Sequence, residues 1–414
     1  DSLTHKMQRA ALGKTVDLVL SHAEKDPAKT VGQIVDLSKQ FYGDSFSEET
    51  YAHAKQTLND PNSKWSKLIN CVLNQLDPNV ARTTALNLGY EAFFRGTKTI
   101  RENRVKYQCN IPWLILFDPT SACNMHCVGC WAGEYGHKNN LSFEDMDKIV
   151  TEGKELGVYL YMLTGGEPLV RRGIDELVRR LRAIEGIREL AMTTNGARLA
   201  EYAERLKSAG LDRLNVSLDT LDPEKYRKIT RIGSLSDTLA GLDAARSAGF
   251  TRIKLNAVLM GGVNDDEIPA LAELARDGAF DVRFIELMPI GECADWDRKR
   301  FIPAERVLEV LPKAQRVPSD GVAELWRPEG WKGTVGLIRP LSHRFCADCD
   351  RIRITPDRML KPCLHSAREI PLRGKHGEAL VCAIAEGIGG KPKGHHITDG
   401  RTSDSLRGMN RIGG

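Results

Sequence analysis

The spacing of apolar residues changes twice along this chain. Over residues 1 to about 108 it is helical, as at Val31, Ile34, Val35 and Leu37. Three Asp-Pro pairs (Asp26-Pro27, Asp60-Pro61, Asp77-Pro78) each offer an N-cap followed by proline at the first helical position. From Trp113 the pattern alternates. Short apolar runs at 113–117, 158–163, 190–193, 214–218, 253–258 and 282–287 predict strands. Amphipathic stretches lie between them, one capped by Ser142 and others near 199–209 and 235–248. Six strands alternating with helices predict an α/β fold with a parallel sheet, a partial (β/α)6 barrel of TIM type. From about Pro318 the alternation ends in a stretch that reads as loop-rich, with a Gly-, Lys-, His- and Arg-rich tail from Gly387. The expected domains are a helical extension (1–108), a core barrel (109–317) and a C-terminal domain (318–414). The extension carries no catalytic motif, and helical packing or a homodimer would account for it.

Composition narrows the function. The 414 residues are 41% hydrophobic and 28% charged, enough for a large core. No apolar run approaches the ~20 residues of a membrane span, and DSLTHKMQRA lacks a signal-peptide apolar segment. It also lacks an initiator Met, which suggests processing. A net charge of +4 gives no reason to expect nucleic acid, but arginine is dense in the last third and suits an anionic substrate. Ten cysteines without a secretory signal favour a reducing, cytoplasmic compartment. Cys71, Cys109, Cys293 and Cys382 stand alone and read as buried, inert thiols.

The other six cysteines form two triplets: Cys123, Cys127 and Cys130, then Cys346, Cys349 and Cys363. A cubane iron–sulfur cluster held by three thiolates leaves one iron open to a small molecule. Zinc is the rival at both places, with His126, or with His343 or His365, as a fourth ligand. One strand after the first triplet comes Gly165-Gly166-Glu167-Pro168. The glycines would let backbone approach a ligand, and the glutamate would accept from an ammonium group.

With these residues the chain resembles the radical S-adenosylmethionine (SAM) superfamily. That resemblance implies a [4Fe–4S] cluster on Cys123, Cys127 and Cys130 that chelates SAM. The segment 345–364, with its three cysteines, resembles the auxiliary-cluster region of the GTP 3′,8-cyclase family (molybdenum cofactor biosynthesis protein A). The likeness also takes in Thr193–Gly196, Asn215–Asp219, Lys254–Asn256, Arg283–Pro289 and the terminal Gly413-Gly414. It implies a second [4Fe–4S] cluster on Cys346, Cys349 and Cys363. It places Gly165, Gly166, Glu167, Thr193, Asn195, Ser217, Lys254 and Met288 around SAM. Arg171, Arg172, Arg283, Arg351, Arg353, Gly413 and Gly414 would meet GTP. The implied reaction makes (8S)-3′,8-cyclo-7,8-dihydro-GTP, the first step of molybdenum cofactor synthesis, with flavodoxin or ferredoxin as reductant. No side chain is expected to act as the reactive species.

Upstream of about Leu163 the match to the cyclase pattern weakens. The apolar stretch 111–117 replaces an arginine-bearing segment, Gly129 stands where an aromatic is usual, and Asp350 replaces an asparagine. Residues 1–162 resemble another radical SAM branch, which makes the chain read as a composite with its seam near Pro168. A radical SAM enzyme acting on a peptide and a zinc-stabilised binding protein are the alternative readings.

Overall fold

A computed structural model describes residues 48–60, 97–112, 114–128, 130, 139–290, 293, 298–311, 313–319, 322–346, 349, 351–395, 397 and 403–405, with isolated positions between 7 and 66. The chain divides into two compact units, Asp1–Glu102 and Asn103–Gly414. Helices α1 (Glu48–Asn59) and α2 (Thr97–Tyr107) agree with the helical reading of the N-terminal part. The Asp-Pro pairs at 26–27 and 77–78, and Trp113, lie outside the described residues.

All six expected strands form: β1 (Leu114–Phe117), β2 (Leu160–Leu163), β3 (Glu189–Thr194), β4 (Arg213–Ser217), β5 (Ile253–Leu259) and β6 (Asp281–Glu286). They pair in parallel in chain order. Between them run α3 (Phe143–Leu156), α4 (Ile174–Ala183), α5 (Leu199–Ser208), α6 (Pro223–Thr230), α7 (Leu235–Ser247) and α8 (Ile268–Glu273). Helix α3 starts where its cap residue predicts, with Ser142 Oγ accepting from the Asp145 amide at 3.1 Å, and it ends on Gly157 at φ 100°. Its buried Met146, Ile149, Val150 and Leu156 form the apolar stripe expected of a helix laid on a sheet.

The last third departs from the loop-rich expectation. It carries α9 (Arg306–Glu309), β7 (Gln315–Val317), β8 (Glu324–Arg327), β9 (Val335–Ile338), β10 (Arg351–Ile354), β11 (Met359–Lys361), β12 (Ile370–Pro371) and α10 (Glu378–Gly389). Strand β9 pairs in parallel with β6, and β10 pairs in parallel with β1. The C-terminal third therefore extends the barrel sheet at both ends. Strands of two to four residues hold too few positions for a period to register, and the Arg-Ile alternation of β10 reads as polar. Cys382 corrects a second expectation: on α10 it is exposed, whereas Cys109 and Cys293 are buried as expected. Cys71 lies outside the described residues. Among the described residues no helix is long and apolar enough to cross a membrane.

Candidate active site

The first cysteine loop leaves the C-terminal end of β1 and is held on three sides. At its start, the Asp118 amide donates to Ile354 O of β10 at 2.9 Å, and the Thr164 amide donates to Phe117 O at 2.7 Å. The glycine pair then packs against the loop. A Cβ on Gly166 would lie 2.2 Å from Ala122 O, and one on Gly165, at φ +77°, would lie 2.5 Å from the Asp118 side chain. The loop closes with the Glu167 amide donating to Ala122 O at 2.7 Å. The sequence suggested that these glycines make room for a ligand; their first task is to admit the cysteine loop itself.

Glu167 is equally engaged. Its buried carboxylate accepts from the Leu169 amide (3.0 Å), Thr194 Oγ1 (2.7 Å) and the Asn195 amide (2.7 Å), tying the end of β2 to the end of β3. Burial raises its pKa, and those hydrogen bonds oppose the rise. Of the roughly four acceptor positions of a carboxylate, three are taken within the protein. Asn195 extends the bracket to the cysteine loop, with Nδ2 2.8 Å from Asn124 Oδ1 and 3.9 Å from Cys123 Sγ. On the other side, the His126 and Val128 amides donate to Thr230 O (3.3 Å) and Ile229 O (2.8 Å), capping the last carbonyls of α6.

These contacts bring the thiols within electrostatic range of one another. Burial pushes Cys123 up to about 12, with Glu167 and Cys130 adding to the rise. Cys127 is raised further by burial and by the charges of Cys130, Cys123 and Asp219. Thiols that raise one another's pKa and stay neutral without a metal form a soft donor set suited to iron, whose charge would deprotonate them. Asp219, not singled out by the sequence, lies beside Cys127. Burial lifts it to about 6, against the Val258 amide at 2.8 Å.

The second triplet occupies the opposite end of the same strand pair. Leu114 and Leu116 of β1 stand opposite Arg351 and Arg353 of β10, so the N-terminal end of β10 lies beside the start of β1. Cys349 immediately precedes that end. Strand β11 runs antiparallel, with Lys361 opposite Arg353, and returns Cys363 to the same place. Cys363 is raised by burial, then by Cys349 and Cys346, and is lowered by Lys391. With four residues of β10 intervening, the two cysteine loops stand about 13 Å apart along the strand.

Between them, one face of the sheet is lined with polar groups. Alternate residues of β10 put Arg351 and Arg353 together on the half-buried face. Burial brings Arg353 down to about 10, Asp118 opposes that shift, and Arg351, Cys349 and Cys363 all act on it. Thus Arg353 lies between the two cysteine loops electrostatically as well as in register. Lys254 and Asn256 share the corresponding face of β5, and Asn256 pairs in register with Arg283 of β6. Burial lowers Lys254 to about 7, and Arg283, Arg213 and Arg252 push the same way. Asn256 Oδ1 is buried with no hydrogen-bond partner among the described residues. On the floor, Asn215 Nδ2 contacts Thr193 Oγ1 (3.3 Å), and Arg213 Nη1 reaches Asn215 Oδ1 (2.9 Å). A sheet face with mutually repelling cations and an amide oxygen lacking a partner suits an anionic, hydrogen-bonding ligand.

The remaining expected residues are less uniform. Ser217, exposed, ends β4, and half-buried Met288 follows β6 at the same rim as the first triplet. Arg171 donates to Pro119 O and lies 4.7 Å over the Phe143 ring, so it braces the cysteine loop; Arg172 is exposed. His343 is exposed near Glu324, whereas His365 is buried against His395 with ring centroids 4.8 Å apart. Gly129, Asp350, Gly413 and Gly414 lie outside the described residues. Sequence reasoning missed Asp118, whose only signal is its place just after strand β1, and assigned no role to Asp219, although it closes the Asn215–Asp219 segment of the resemblance.

Family models match the chain at residues 117–275 (radical SAM superfamily) and 280–397 (molybdenum cofactor synthesis C). The GTP 3′,8-cyclase of Alkaliphilus oremlandii is 43% identical over 304 residues, covering 71% of this chain and 95% of that protein. This chain belongs to the GTP 3′,8-cyclase family. The cyclase of Peptoclostridium acidaminophilum is 44% identical over 305 residues, covering 71% of this chain and 93% of that protein. The matched 71% is longer than the segment 163–414, so the cyclase likeness continues upstream of Leu163. Among solved structures, Streptococcus suis SuiB bound to S-adenosylmethionine is 14% identical with a TM-score of 0.51, covering 87% of this chain and 84% of SuiB. That likeness concerns the α/β radical SAM fold alone. Membership of the cyclase family implies SAM and two [4Fe–4S] clusters as cofactors. The thiols of each triplet lie near enough to raise one another's pKa, although among the described residues no three donors stand close enough to form a ready metal site.

Proposed function

We propose that this protein converts GTP to (8S)-3′,8-cyclo-7,8-dihydro-GTP, with the two cysteine triplets as cluster ligands. The observation that carries this reading is β10: its register puts Arg351 and Arg353 on one face between a triplet at each end. With both clusters and SAM bound, the cofactors would supply a 5′-deoxyadenosyl radical that takes the ribose 3′ hydrogen; the ribose carbon would then bond to guanine C8, and the purine radical so formed would take one electron from the reductant and one proton from solvent.

The chain's residues bind and orient. Gly165, Gly166, Thr193, Asn195, Ser217 and Met288 border the SAM side, where Glu167 fixes the loop ends through its three hydrogen bonds. Arg283, Arg351 and Arg353 face the nucleotide, and Lys254, which the resemblance put beside SAM, is reassigned to the nucleotide because it lies within electrostatic range of Arg283. Guanidinium forks match phosphate oxygens in pairs, and their mutual repulsion is relieved when a triphosphate enters. Gly413 and Gly414 are assigned to the nucleotide by resemblance, and an electron-carrier protein is proposed as reductant. Arg171, engaged by Pro119 O, serves the cysteine loop, so it reaches GTP only by giving up that bond.

Anaerobic incubation of the reconstituted protein with SAM, dithionite and GTP tests the reading. It should yield 5′-deoxyadenosine together with a cyclised nucleotide. Deoxyadenosine with unchanged GTP would overturn the substrate assignment and leave the radical chemistry standing. About eight irons per chain are expected for two cubanes, and stoichiometric zinc without iron would overturn both.

A further inference from the structure

We infer that the C-terminal end of α6 is the docking surface for a small acidic electron-carrier protein that reduces the first cluster. The inference rests on the proposed function in taking Cys123, Cys127 and Cys130 to hold a reducible cluster and the sheet face between the two triplets to hold substrate. Three observations meet there. First, Cys127 is flanked by His126 and Val128, whose amides donate to Thr230 O and Ile229 O, so the helix end is one hydrogen bond from the residues bordering a cluster ligand. Second, Val128 is 38% exposed and Ile232 50% exposed, and both flank those hydrogen bonds. Exposed large apolar residues are uncommon among the described residues, and two beside one metal loop make the apolar centre of an interface. Third, the exposed Arg227 and Lys228 of the last turn of α6 and the exposed Arg231 that follows it lie within five residues of Ile232 and bring positive charge to that end of the helix. The acids of α6, Asp222 and Glu224, sit at its other end, and Asp237 is an exposed acid on the first turn of α7.

The position also fits the route an electron must take. Between the two cysteine loops the sheet face is committed to substrate, so the first triplet is reached from the helix side. One electron would leave the reduced carrier and enter a cluster held by Cys123, Cys127 and Cys130, reducing it by one electron. An anionic flavin hydroquinone carrier thereby becomes a neutral semiquinone, and no proton need leave it. Complementary charge of this kind acts mainly on the association rate and is lost as salt rises.

The test uses the reconstituted holoenzyme, photoreduced flavodoxin as probe, and bleaching of cluster absorbance in a stopped-flow cell without GTP. Because no nucleotide is present, failure to cyclise GTP leaves this readout intact. In R227E/K228E the reduction rate with flavodoxin at low salt should fall about tenfold or more, and the rate should lose its salt dependence. Reduction by dithionite, which needs no docking surface, should be unchanged, and R227A/K228A should fall between. Flavodoxin binding, read by flavin fluorescence, should weaken in step. Unchanged flavodoxin kinetics overturn the inference. So does an equal loss with dithionite, which would assign these residues to the cysteine loop itself. Salt-sensitive binding of RNA or anionic vesicles, with no effect on reduction, overturns it in favour of another occupant.

Discussion

Replacing Gly166 by alanine separates two explanations of the glycine pair. If Gly166 only leaves room for a bound ligand, an added methyl group weakens ligand binding and leaves the ligand-free protein as stable as before. The structure requires the opposite. Gly166 does not occupy the left-handed region, so alanine meets no backbone strain there, but its Cβ would lie 2.2 Å from Ala122 O and 2.9 Å from Thr120 O. Ordinary contact needs about 1 Å more, and the obstructing atoms are backbone that cannot rotate away. Moving them breaks the 2.7 Å bond from the Glu167 amide to Ala122 O. A lost buried hydrogen bond costs about 1 kcal/mol and overpacking about 1–3 kcal/mol, which together give about 2–4 kcal/mol. Urea unfolding of the apo protein followed by circular dichroism reads this directly, with an iron and sulfide assay after reconstitution as the second readout. We expect a lower midpoint at unchanged m-value and a deficit confined to the first cluster. An apo protein of wild-type stability that binds SAM poorly would refute the packing argument.

Three further outcomes are expected. Lys254, lowered to about 7, binds one proton fewer than the unfolded chain between about pH 7 and 10.5, so its burial destabilises least above that window and most as pH falls through 7. A triphosphate beside it restores the charge. GTP binding at pH 8 should therefore take up a proton, seen as buffer-dependent heat in calorimetry, and Lys254→Met should abolish the uptake. Buffer-independent heat in the wild type would count against that role. Glu167→Gln sets a donor or a weaker acceptor against one of three existing donors and should cost about 1–3 kcal/mol in the same urea assay. Wild-type stability would show that the bracket between β2 and β3 is dispensable. Arg171→Ala should lower iron retention in the first cluster more than it raises the KM for GTP, since its partner is Pro119 O, while exposed Arg172→Ala should change neither. A pure KM effect for Arg171 would return it to the substrate.

Local order decides what could be read without coordinates. The alternation from β1 to β6, the Ser142 cap and the spacing of both cysteine triplets are properties of consecutive residues, and each emerges where the sequence places it. Cluster chemistry was legible for the same reason: three thiols within eight residues leave few other uses. The roles of Gly166, Glu167 and Arg171 were not legible, because their partners (Ala122 O, Thr194 and Asn195, Pro119 O) lie 27 to 52 positions away. The placement of the second triplet was less legible still. Nothing in the short β10 strand specifies that it will pair with β1, more than two hundred residues earlier, or that β11 will turn back and carry Cys363 with it. Strand pairing is settled by which edges remain open once the core is packed, a property of the whole sheet. The sequence determined by itself that two three-cysteine sites exist and that arginines accompany the second. Only the tertiary structure decided that they face one another from opposite ends of one strand pair, with Arg351 and Arg353 between them.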